Sequence, residues 1–277
     1  PGKCCKPTGR TSRSIVANLC TADFGVSNHT QFAATIQTGD DPIDVAQRAA
    51  AAIRQQLDDR VPTLVAMFVS PALAADPWTL SATIRGELTC DHLFGCTSEA
   101  PVGAGLEMEG VPALALWATA AAGVRPHMTH LTIDRSGSLS EVERWQREVF
   151  DMPPQTPLIL LADPFTFATD LLIGAHNRAG LSPIVGGLAS GGHREGEHVL
   201  FLGEAVHFEG AVAAALPGLQ AQAVVSQGCE PIGPDMVITA GSGPCIEELA
   251  GTRAYTKIMS VLDDLGARCE APAALSS

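Results

Sequence analysis

The chain has 277 residues, of which 46% are hydrophobic and 17% are charged, and its formal net charge at pH 7 is −13. This composition allows a sizeable core and excludes a chain that is disordered throughout. The acidic excess argues against binding to a nucleic-acid backbone or to an anionic membrane surface, because both require Lys and Arg on the contact face.

The sequence shows no sign of a membrane-spanning or secreted protein. Its longest run of low polarity, 111–124, is shorter than the roughly 20 residues that a transmembrane helix needs. No apolar stretch of signal-peptide type follows the basic residues 1–14. The eight cysteines lack the dense, even spacing of a disulfide scaffold. We therefore expect a cytoplasmic protein with reduced thiols, which begins with a mobile tail over residues 1–25.

Apolar runs alternate with amphipathic segments after this tail. A first strand is predicted over 31–38, and a helix over 40–59 that starts at an Asp-Asp-Pro string. The continuous apolar run 63–69 is typical of a strand that is covered on both faces. A second helix is predicted over 76–89 and a short strand over 92–94.

The same reasoning gives the later elements. Strands are predicted at 113–119, 130–133, 158–162, 183–185, 198–202, 210–215 and 237–239, and from 224 into a turn at 233. Helices are predicted from 138, over 163–179 and over 256–265. The Pro-rich stretch 153–157 is the clearest internal break.

Two segments, 63–119 and 157–203, repeat one order of strand, helix, strand and loop. Asp76-Pro-Trp-Thr-Leu80 corresponds to Asp163-Pro-Phe-Thr-Phe167, Gly95–Ser98 to Gly186–Ala189, and Ala113–Trp117 to Val199–Gly203. This pattern predicts an internal duplication, with convergent helix-start chemistry as the alternative. The predicted fold class is α/β, with α+β left open. It is a mixed β-sheet core with helices packed on it, built from two similar strand-helix-strand-loop units.

Several motifs could carry chemistry, but each has a simpler structural explanation. The loop Gly186–Gly192 lacks the lysine of a P-loop and the order G-x-G-x-x-G, which favours a tight turn or a loop beside a small ligand. Cys96 and Cys229 each follow a glycine at a strand end, so each is either a nucleophile or a small buried residue. Asp163 is either a general base or a helix cap, and capping explains it fully.

The remaining titratable groups give no catalytic or metal site. Cys90, His92 and Cys96, like His193 with His198, lack the spacing of a zinc site. We therefore expect no metal, no cofactor and no catalytic residue. Glu99, Glu195 and Glu230 lie in loops, where they would bind the amine of a small ligand or simply face solvent.

Taken together, the motifs resemble the N-terminal FIST domain. The strings that carry the resemblance are GCTSEA, LLADPFTFATDLL, PIVGGLASGG, VVSQGCEPIG and IEELAGTRAY, in this order along the chain. The pattern positions are Gly95, Cys96, Ser98, Asp163, Pro164, Gly186, Gly187, Ser226, Gln227, Gly228, Cys229 and Pro231. The resemblance implies a FIST N-terminal domain over 26–255. Residues 256–277 would then be a helix and tail at the start of a truncated or absent C-terminal FIST domain.

The resemblance implies an intracellular sensory module for signal transduction that binds a small ligand, such as an amino acid, without catalysis. The expected partners are this ligand and a signalling or C-terminal FIST domain, but neither nucleic acid nor a membrane. The alternatives are a protein-interaction scaffold, as in F-box proteins with FIST domains, and a Cys-dependent hydrolase. The predicted ligand contacts lie in the strand-end loops: Gly95, Cys96, Thr97, Ser98, Glu99, Gly186, Gly187, Ser190, Gly191, Ser226, Gln227, Gly228 and Cys229.

Overall fold

The computed structural model describes residues 30–132, 143, 147, 156–178, 184–219, 233–242 and 245–264. The chain divides into two units, 1–223 and 224–277. The elements of the first unit are β1 (Thr30–Thr38), α1 (Pro42–Gln56), β2 (Leu64–Val69), α2 (Pro77–Leu88), β3 (Leu93–Thr97), β4 (Val102–Gly103), β5 (Leu106–Glu107), β6 (Ala113–Ala121), β7 (His127–Leu131), β8 (Leu158–Ala162), α3 (Thr169–Arg178), β9 (Ile184–Leu188), β10 (Leu200–Leu202), β11 (Ala205–His207) and β12 (Ala211–Ala215). A short 3-10 turn, Pro71–Leu73, follows β2.

Two mixed sheets form the framework of this unit. Among the described strands, one sheet has the order β1-β6-β2-β3-β10-β11 and the other has the order β7-β12-β8-β9. Each sheet contains one parallel pair, β2 with β3 and β8 with β9, and its other neighbours are antiparallel. The hairpin of β4 and β5 forms a separate two-stranded sheet, and β4 lies against β1 and β6 of the first sheet.

The sheets pack face to face, and helices cover their outer faces. The alternation of β2 shows the arrangement, because Val65, Met67 and Val69 pack against α1 and α2, whereas Leu64 and Ala66 share a core with Val212 and Leu161 of the other sheet. A third cluster joins the outer face of that sheet to α3 through residues such as Leu160 and Leu172. The order is therefore helix, sheet, sheet, helix, which confirms the predicted α/β class and a β2 that is buried on both sides.

The first two helices begin as predicted. The carboxylate of Asp41 accepts hydrogen bonds from the backbone N–H groups of Ile43 and Asp44, and Pro42 occupies the first turn of α1. Asp76 caps α2 through the N–H of Thr79 at 3.2 Å. The two carboxylates therefore satisfy some of the N–H groups at the helix starts that have no partner within the helix.

The predicted start of the third helix at Asp163 is wrong, because α3 begins at Thr169. Residues 164–166 form a turn instead, and the Asp163 carboxylate accepts hydrogen bonds from the N–H of Phe165 and the hydroxyl of Thr166. A side chain that is fully buried and engaged in this turn cannot also cap a helix that begins six residues later.

The two sheets share a strand order. The order β1-β6-β2-β3 matches β7-β12-β8-β9 in sequence succession and in strand direction. This order corrects two predicted correspondences. The predicted match between 199–203 and 113–117 is wrong. Residues 200–202 form β10, which pairs with β3, and the strand of the second sheet that occupies the position of β6 is β12. Asp163 corresponds to Ser70 rather than to Asp76, because each directly follows its parallel strand. The duplication itself stays a prediction.

The second unit contains the strands β13 (Ile238–Ser242), β14 (Cys245–Leu249) and β15 (Thr252–Arg253) and the helix α4 (Ala254–Asp264). The strands follow one another in an antiparallel sheet, and α4 contacts β14 and β15. The strand predicted at 237–239 and the helix predicted over 256–265 are both present, with shifted ends.

Some predictions fall outside the described residues. These are the tail 1–25, the helix from 138 (except Glu143 and Arg147, which are helical), the break at 153–155, the strand from 224, and the tail beyond 264. In the described part of the chain, every helix is too short or too polar to span a membrane.

Candidate functional site

The loops that follow β3 and β9 lie in contact at the carboxyl ends of the two parallel strand pairs. The backbone N–H of Ser190 donates to the carbonyl of Thr97 at 3.1 Å. The N–H of Glu99 donates in turn to the Ser190 hydroxyl at 3.0 Å. A Cβ on Gly191 would lie only 2.5 Å from Cγ of Pro71, which follows β2. The loops after three different strands, β2, β3 and β9, therefore converge.

Gly95 and Gly186 have a structural role in the strand pairs. A Cβ on Gly95 would lie 2.0 Å from the carbonyl oxygen of Met67, and a Cβ on Gly186 would lie 1.8 Å from that of Leu160. Both glycines occupy the third register position of a parallel pair. Glycine is required here for close backbone approach. Gly187, by contrast, faces open space.

The Cys96 side chain points into the core between the sheets. It is 3% exposed, and burial raises the pKa of its thiol to about 12. Burial likewise raises the pKa of Cys90 to about 11. Since the thiolate is the reactive form of cysteine, Cys96 does not suit a nucleophile at neutral pH. The core environment thus favours the structural explanation of Cys96 over the hydrolase hypothesis.

Within the segment 95–99, only the last two residues reach the surface. Gly95, Cys96 and Thr97 are buried, and the Thr97 hydroxyl accepts a hydrogen bond from the N–H of Val199 at 3.2 Å. Ser98 is partly exposed, and Glu99 is exposed. A ligand at this surface would therefore meet Ser98 and Glu99 on one loop and Ser190 and Gly191 on the other.

Behind these loops lies a fully buried pair, Asp163 and His198. Their side chains are 0% and 1% exposed, and Oδ1 of Asp163 lies 2.8 Å from Nδ1 of His198. Nε2 of His198 accepts a hydrogen bond from the backbone N–H of Gly192 at 3.1 Å. The ring of Phe165 stacks on the imidazole at 5.6 Å between centroids. Asp163, which the sequence assigned to a helix cap, thus connects β8 to the glycine loop through His198.

This pair is hardly visible in the sequence. Asp163 and His198 are 35 residues apart and fit no spacing motif. The available signal was a carboxylate at the end of an otherwise apolar strand, where a buried acid needs a partner. Among the residues that the structure describes, no three His, Cys, Asp or Glu side chains form a group that could hold a metal ion.

Other predicted contacts are not brought to this surface by the described structure. Ser226, Gln227, Gly228, Cys229 and Glu230 lie outside the described residues. Glu195 is exposed in the loop before His198. A separate open cavity of about 300 Å³ is lined by Arg60, Val61, Thr63 and Ala120–Ala122. It lies at the amino end of β2, whereas the converging loops lie at the carboxyl ends.

Comparison with known proteins places the chain in context. The model of the FIST N domain family matches residues 63–252. An uncharacterized protein of Mycobacterium tuberculosis is 34% identical over 218 residues, which cover 78% of this chain and 55% of the relative. An uncharacterized protein of Mycobacterium bovis is 34% identical over 233 residues, which cover 82% of this chain and 58% of the relative. The chain thus spans a little over half the length of the curated relatives it matches.

The chain also has a remote similarity to a solved enzyme. A crystal structure of cyanuric acid hydrolase from A. caulinodans overlaps 69% of this chain and 71% of its own chain, with 10% sequence identity and a TM-score of 0.35. Similarity at this level supports no conclusion about fold or function.

Proposed function

Because the chain belongs to the FIST N domain family, we propose that it is a sensory module of signal transduction that binds a small ligand at the loops after β3 and β9. The observation that carries the proposal is the hydrogen bond between the N–H of Glu99 and the hydroxyl of Ser190, which joins these loops. In open α/β sheets, ligands bind in crevices outside the carboxyl ends of parallel strands. Here two such ends lie side by side.

The side chains at this surface favour a ligand with an amine, such as an amino acid. Glu99 is exposed and supplies a carboxylate to which a charged amine can donate. The hydroxyls of Ser98 and Ser190 lie on the two loops and can donate to a ligand carboxylate. The net charge of −13 also favours a cation over an anion in the diffusional encounter.

A ligand screen tests this proposal. Thermal unfolding of the full chain is measured with the twenty standard amino acids, simple aliphatic amines and simple carboxylates, since a ligand that binds the folded state raises the melting temperature. We expect a stabilising compound among those with an amine. Absence of a shift with every amine at millimolar concentration would contradict the proposal.

Two variants with the same change of charge locate the site. Glu99→Gln removes the proposed amine acceptor, and we expect it to lower the affinity for the amine at least tenfold, about 1.4 kcal/mol or more. Glu247→Gln on β14 is the control and should bind like the wild type. Equal binding by both variants would place the ligand elsewhere.

A protein-interaction scaffold is the second candidate, and one feature of the second unit favours it. Several large apolar side chains there are exposed, and the most exposed is Val237 at 72%. The others are Ile238, Ile246, Tyr255 and Ile258. Exposed apolar surface of this kind is typical of contact sites between proteins. Sedimentation of the wild type beside a Val237→Ser, Ile246→Ser variant tests whether these side chains mediate self-association.

A further inference from the structure

We propose that His198 is a positioning residue under proton control: its neutral imidazole holds the loop Ser190–Gly192 in place, and its protonation releases the loop. The part of this inference that concerns ligand binding rests on the proposed function. The loop's own behaviour can be measured without any ligand.

The hydrogen bonds of His198 define its protonation state. The N–H of Gly192 can only donate, so Nε2, at 3.1 Å, must carry a lone pair. Asp163 faces Nδ1 at 2.8 Å as an acceptor, so Nδ1 carries the hydrogen. His198 is therefore the neutral Nδ1–H tautomer in this geometry. The carboxylate of Asp163 selects this tautomer, because the other one would place a lone pair against it.

The rest of the site fixes the imidazole and the carboxylate in this arrangement. The hydroxyl of Thr166 and the N–H of Phe165 both donate to Asp163. Thr166 also accepts from the N–H of Gly210, which anchors the turn to the start of β12. The Phe165 ring stacks on His198 at an angle of 10°. The imidazole of His198 cannot flip to exchange its two nitrogens without losing these contacts.

Protonation would convert the Nε2 acceptor into a donor that faces another donor. The hydrogen bond to Gly192 would be lost, whereas the bond to Asp163 would gain charge assistance. The loop amide would then be free to leave. The loop is held in place while His198 is neutral, and it is released when Nε2 of His198 takes up a proton.

Other charged groups near the loop do not replace this bond. The loop that bears His198 holds Glu197, whose carboxylate accepts from the N–H of His193 at 2.8 Å and pairs with Arg194 at 2.7 Å. Among the described residues, the charged group that faces His198 from a neighbouring element is the carboxylate of Asp163, which directly follows β8. Glu99 contributes its backbone N–H to the contact with Ser190, two residues before Gly192.

Release of Gly192 would reach the candidate ligand surface directly. Gly191 lies against Pro71 and the Cα of Glu99, and Ser190 is bonded to both Thr97 and Glu99. Ser190 and Gly191, which make these contacts, directly precede Gly192 along the chain. A ligand that requires the held loop would therefore bind more weakly to the protonated protein.

The Asp163 and His198 pair is not proposed as a catalytic dyad. A general base needs its free nitrogen within hydrogen-bond reach of the proton that it abstracts. In His198 this nitrogen is already occupied by a backbone N–H, and the side chain is 1% exposed. Its geometry suits the control of a loop.

Nuclear magnetic resonance of the ¹⁵N-labelled full chain tests the proposal. Two-bond proton–nitrogen correlations identify the tautomer of His198, and exchange of the Gly192 amide is followed from about pH 8 to about pH 5, normalised to its intrinsic rate. We expect the Nδ1–H tautomer at the upper end. The normalised exchange rate should rise about tenfold as His198 becomes protonated, as for the loss of one hydrogen bond.

His198→Gln is the discriminating variant, because its amide oxygen can accept from Gly192 but does not titrate. We expect it to keep the amide protected at every pH, so its profile is flat. His193 and Glu197 remain in this variant, so their titration is controlled for. Asp163→Asn is the second variant. It removes the preference of the carboxylate for one tautomer, so we expect the Nε2–H form to increase and protection of Gly192 to fall at neutral pH.

Three results would overturn the proposal: an Nε2–H tautomer in the wild type, a His198 that does not titrate in this range, or equal profiles for wild type and His198→Gln. The ligand arm uses the amine from the thermal screen. A pH-dependent affinity that His198→Gln abolishes supports the link to binding. If no amine binds, the proposed function fails, but the exchange profiles still decide the proposal about His198.

Discussion

Ser70 and Asp163 occupy the same position in the two sheets. Each directly follows a strand of the parallel pair, and each is bonded to the start of the antiparallel neighbour. Ser70 exchanges hydrogen bonds of 2.9 Å with the backbone of Ala113, and the N–H of Asp163 donates to the carbonyl of Gly210, also at 2.9 Å. They differ in their side-chain partners, because the Asp163 carboxylate is bonded to the buried imidazole of His198 and the Ser70 hydroxyl is bonded to the backbone N–H of Ala113.

This difference predicts unequal costs of substitution. Asp163→Ala would leave His198 and Thr166 without their acceptor in the core, and we expect a loss of about 3–5 kcal/mol in the free energy of unfolding. Ser70→Ala removes one acceptor of a backbone N–H, which should cost about 1–3 kcal/mol. Asp76→Ala removes only an exposed helix cap, at about 1 kcal/mol. Urea unfolding at neutral pH measures all three, and equal costs would contradict the assigned role of Asp163.

The strand glycines give a second prediction. We expect Gly95→Ala and Gly186→Ala each to destabilise the protein by about 2–4 kcal/mol, because the new Cβ would collide with a carbonyl oxygen that the sheet holds in place. Gly187→Ala is the matched control, since a Cβ there meets nothing within 4 Å. Its free energy of unfolding should change by less than about 1 kcal/mol. A control variant as unstable as the others would show that backbone freedom matters more than space.

Thiol labelling provides a third prediction. In the folded chain, Cys245 is exposed, and Cys90 and Cys96 are buried. We expect iodoacetamide at pH 7 to label Cys245 quickly and the other two only after unfolding, because their raised pKa values and burial both suppress the thiolate. Mass spectrometry of the digested protein resolves the sites. Rapid labelling of Cys96 under native conditions would revive the hydrolase hypothesis.

The stacked imidazoles of His130 and His207 predict an acid-sensitive stability. Their ring centroids lie 3.7 Å apart, and Nε2 of His130 donates to the carbonyl of Glu209. Burial, and then the charge of His130, lower the pKa of His207 from 6.5. The unfolded chain therefore binds this proton more readily than the folded chain does, and protonation favours unfolding. The contribution is complete above about pH 6.5 and is lost as the pH falls through the lowered folded pKa.

Unfolding experiments between about pH 7.5 and about pH 5 measure this effect. We expect His207→Gln to lose less stability than the wild type over this range, because the Gln side chain does not titrate. His92→Gln, at an exposed position, should follow the wild type. If His207→Gln has the same slope as the wild type, the stacked pair does not contribute to the acid sensitivity.

The sequence predicts elements well where local chemistry alone decides them. The apolar run that became β2 is visible because both of its faces are covered. The start of α2 at Asp76 follows from capping. The same Asp-Pro string at Asp163 led to a wrong prediction, because this carboxylate is buried in the core, where it is bonded to His198, 35 residues further along the chain. The short hairpin strands β4 and β5 were also missed, since two residues carry too little pattern.

The location of the candidate site stays a prediction, and the sequence did not indicate which of its side chains reach the surface. Glycines at the ends of apolar strands predicted that the two loops correspond, which stays a prediction; the hydrogen bond between the loops is an observation of the structure. The side-chain directions within Gly95–Thr97 depended on which face of β3 meets the second sheet. A strand that is buried on both faces has a continuous apolar sequence without alternation, so its sequence does not show which side chains face which layer.

The position of β10 has a consequence for how the molecule must assemble. Its residues come from the second half of the chain, after β9, but they pair with β3 of the first half. A fragment that stops after β6 would present β3 as a naked edge, with unpaired backbone groups beside Phe94 and Cys96. Such edges template aggregation. We therefore expect a fragment cut between β6 and β7 to aggregate, and the first sheet can be completed only after the ribosome has synthesised β10.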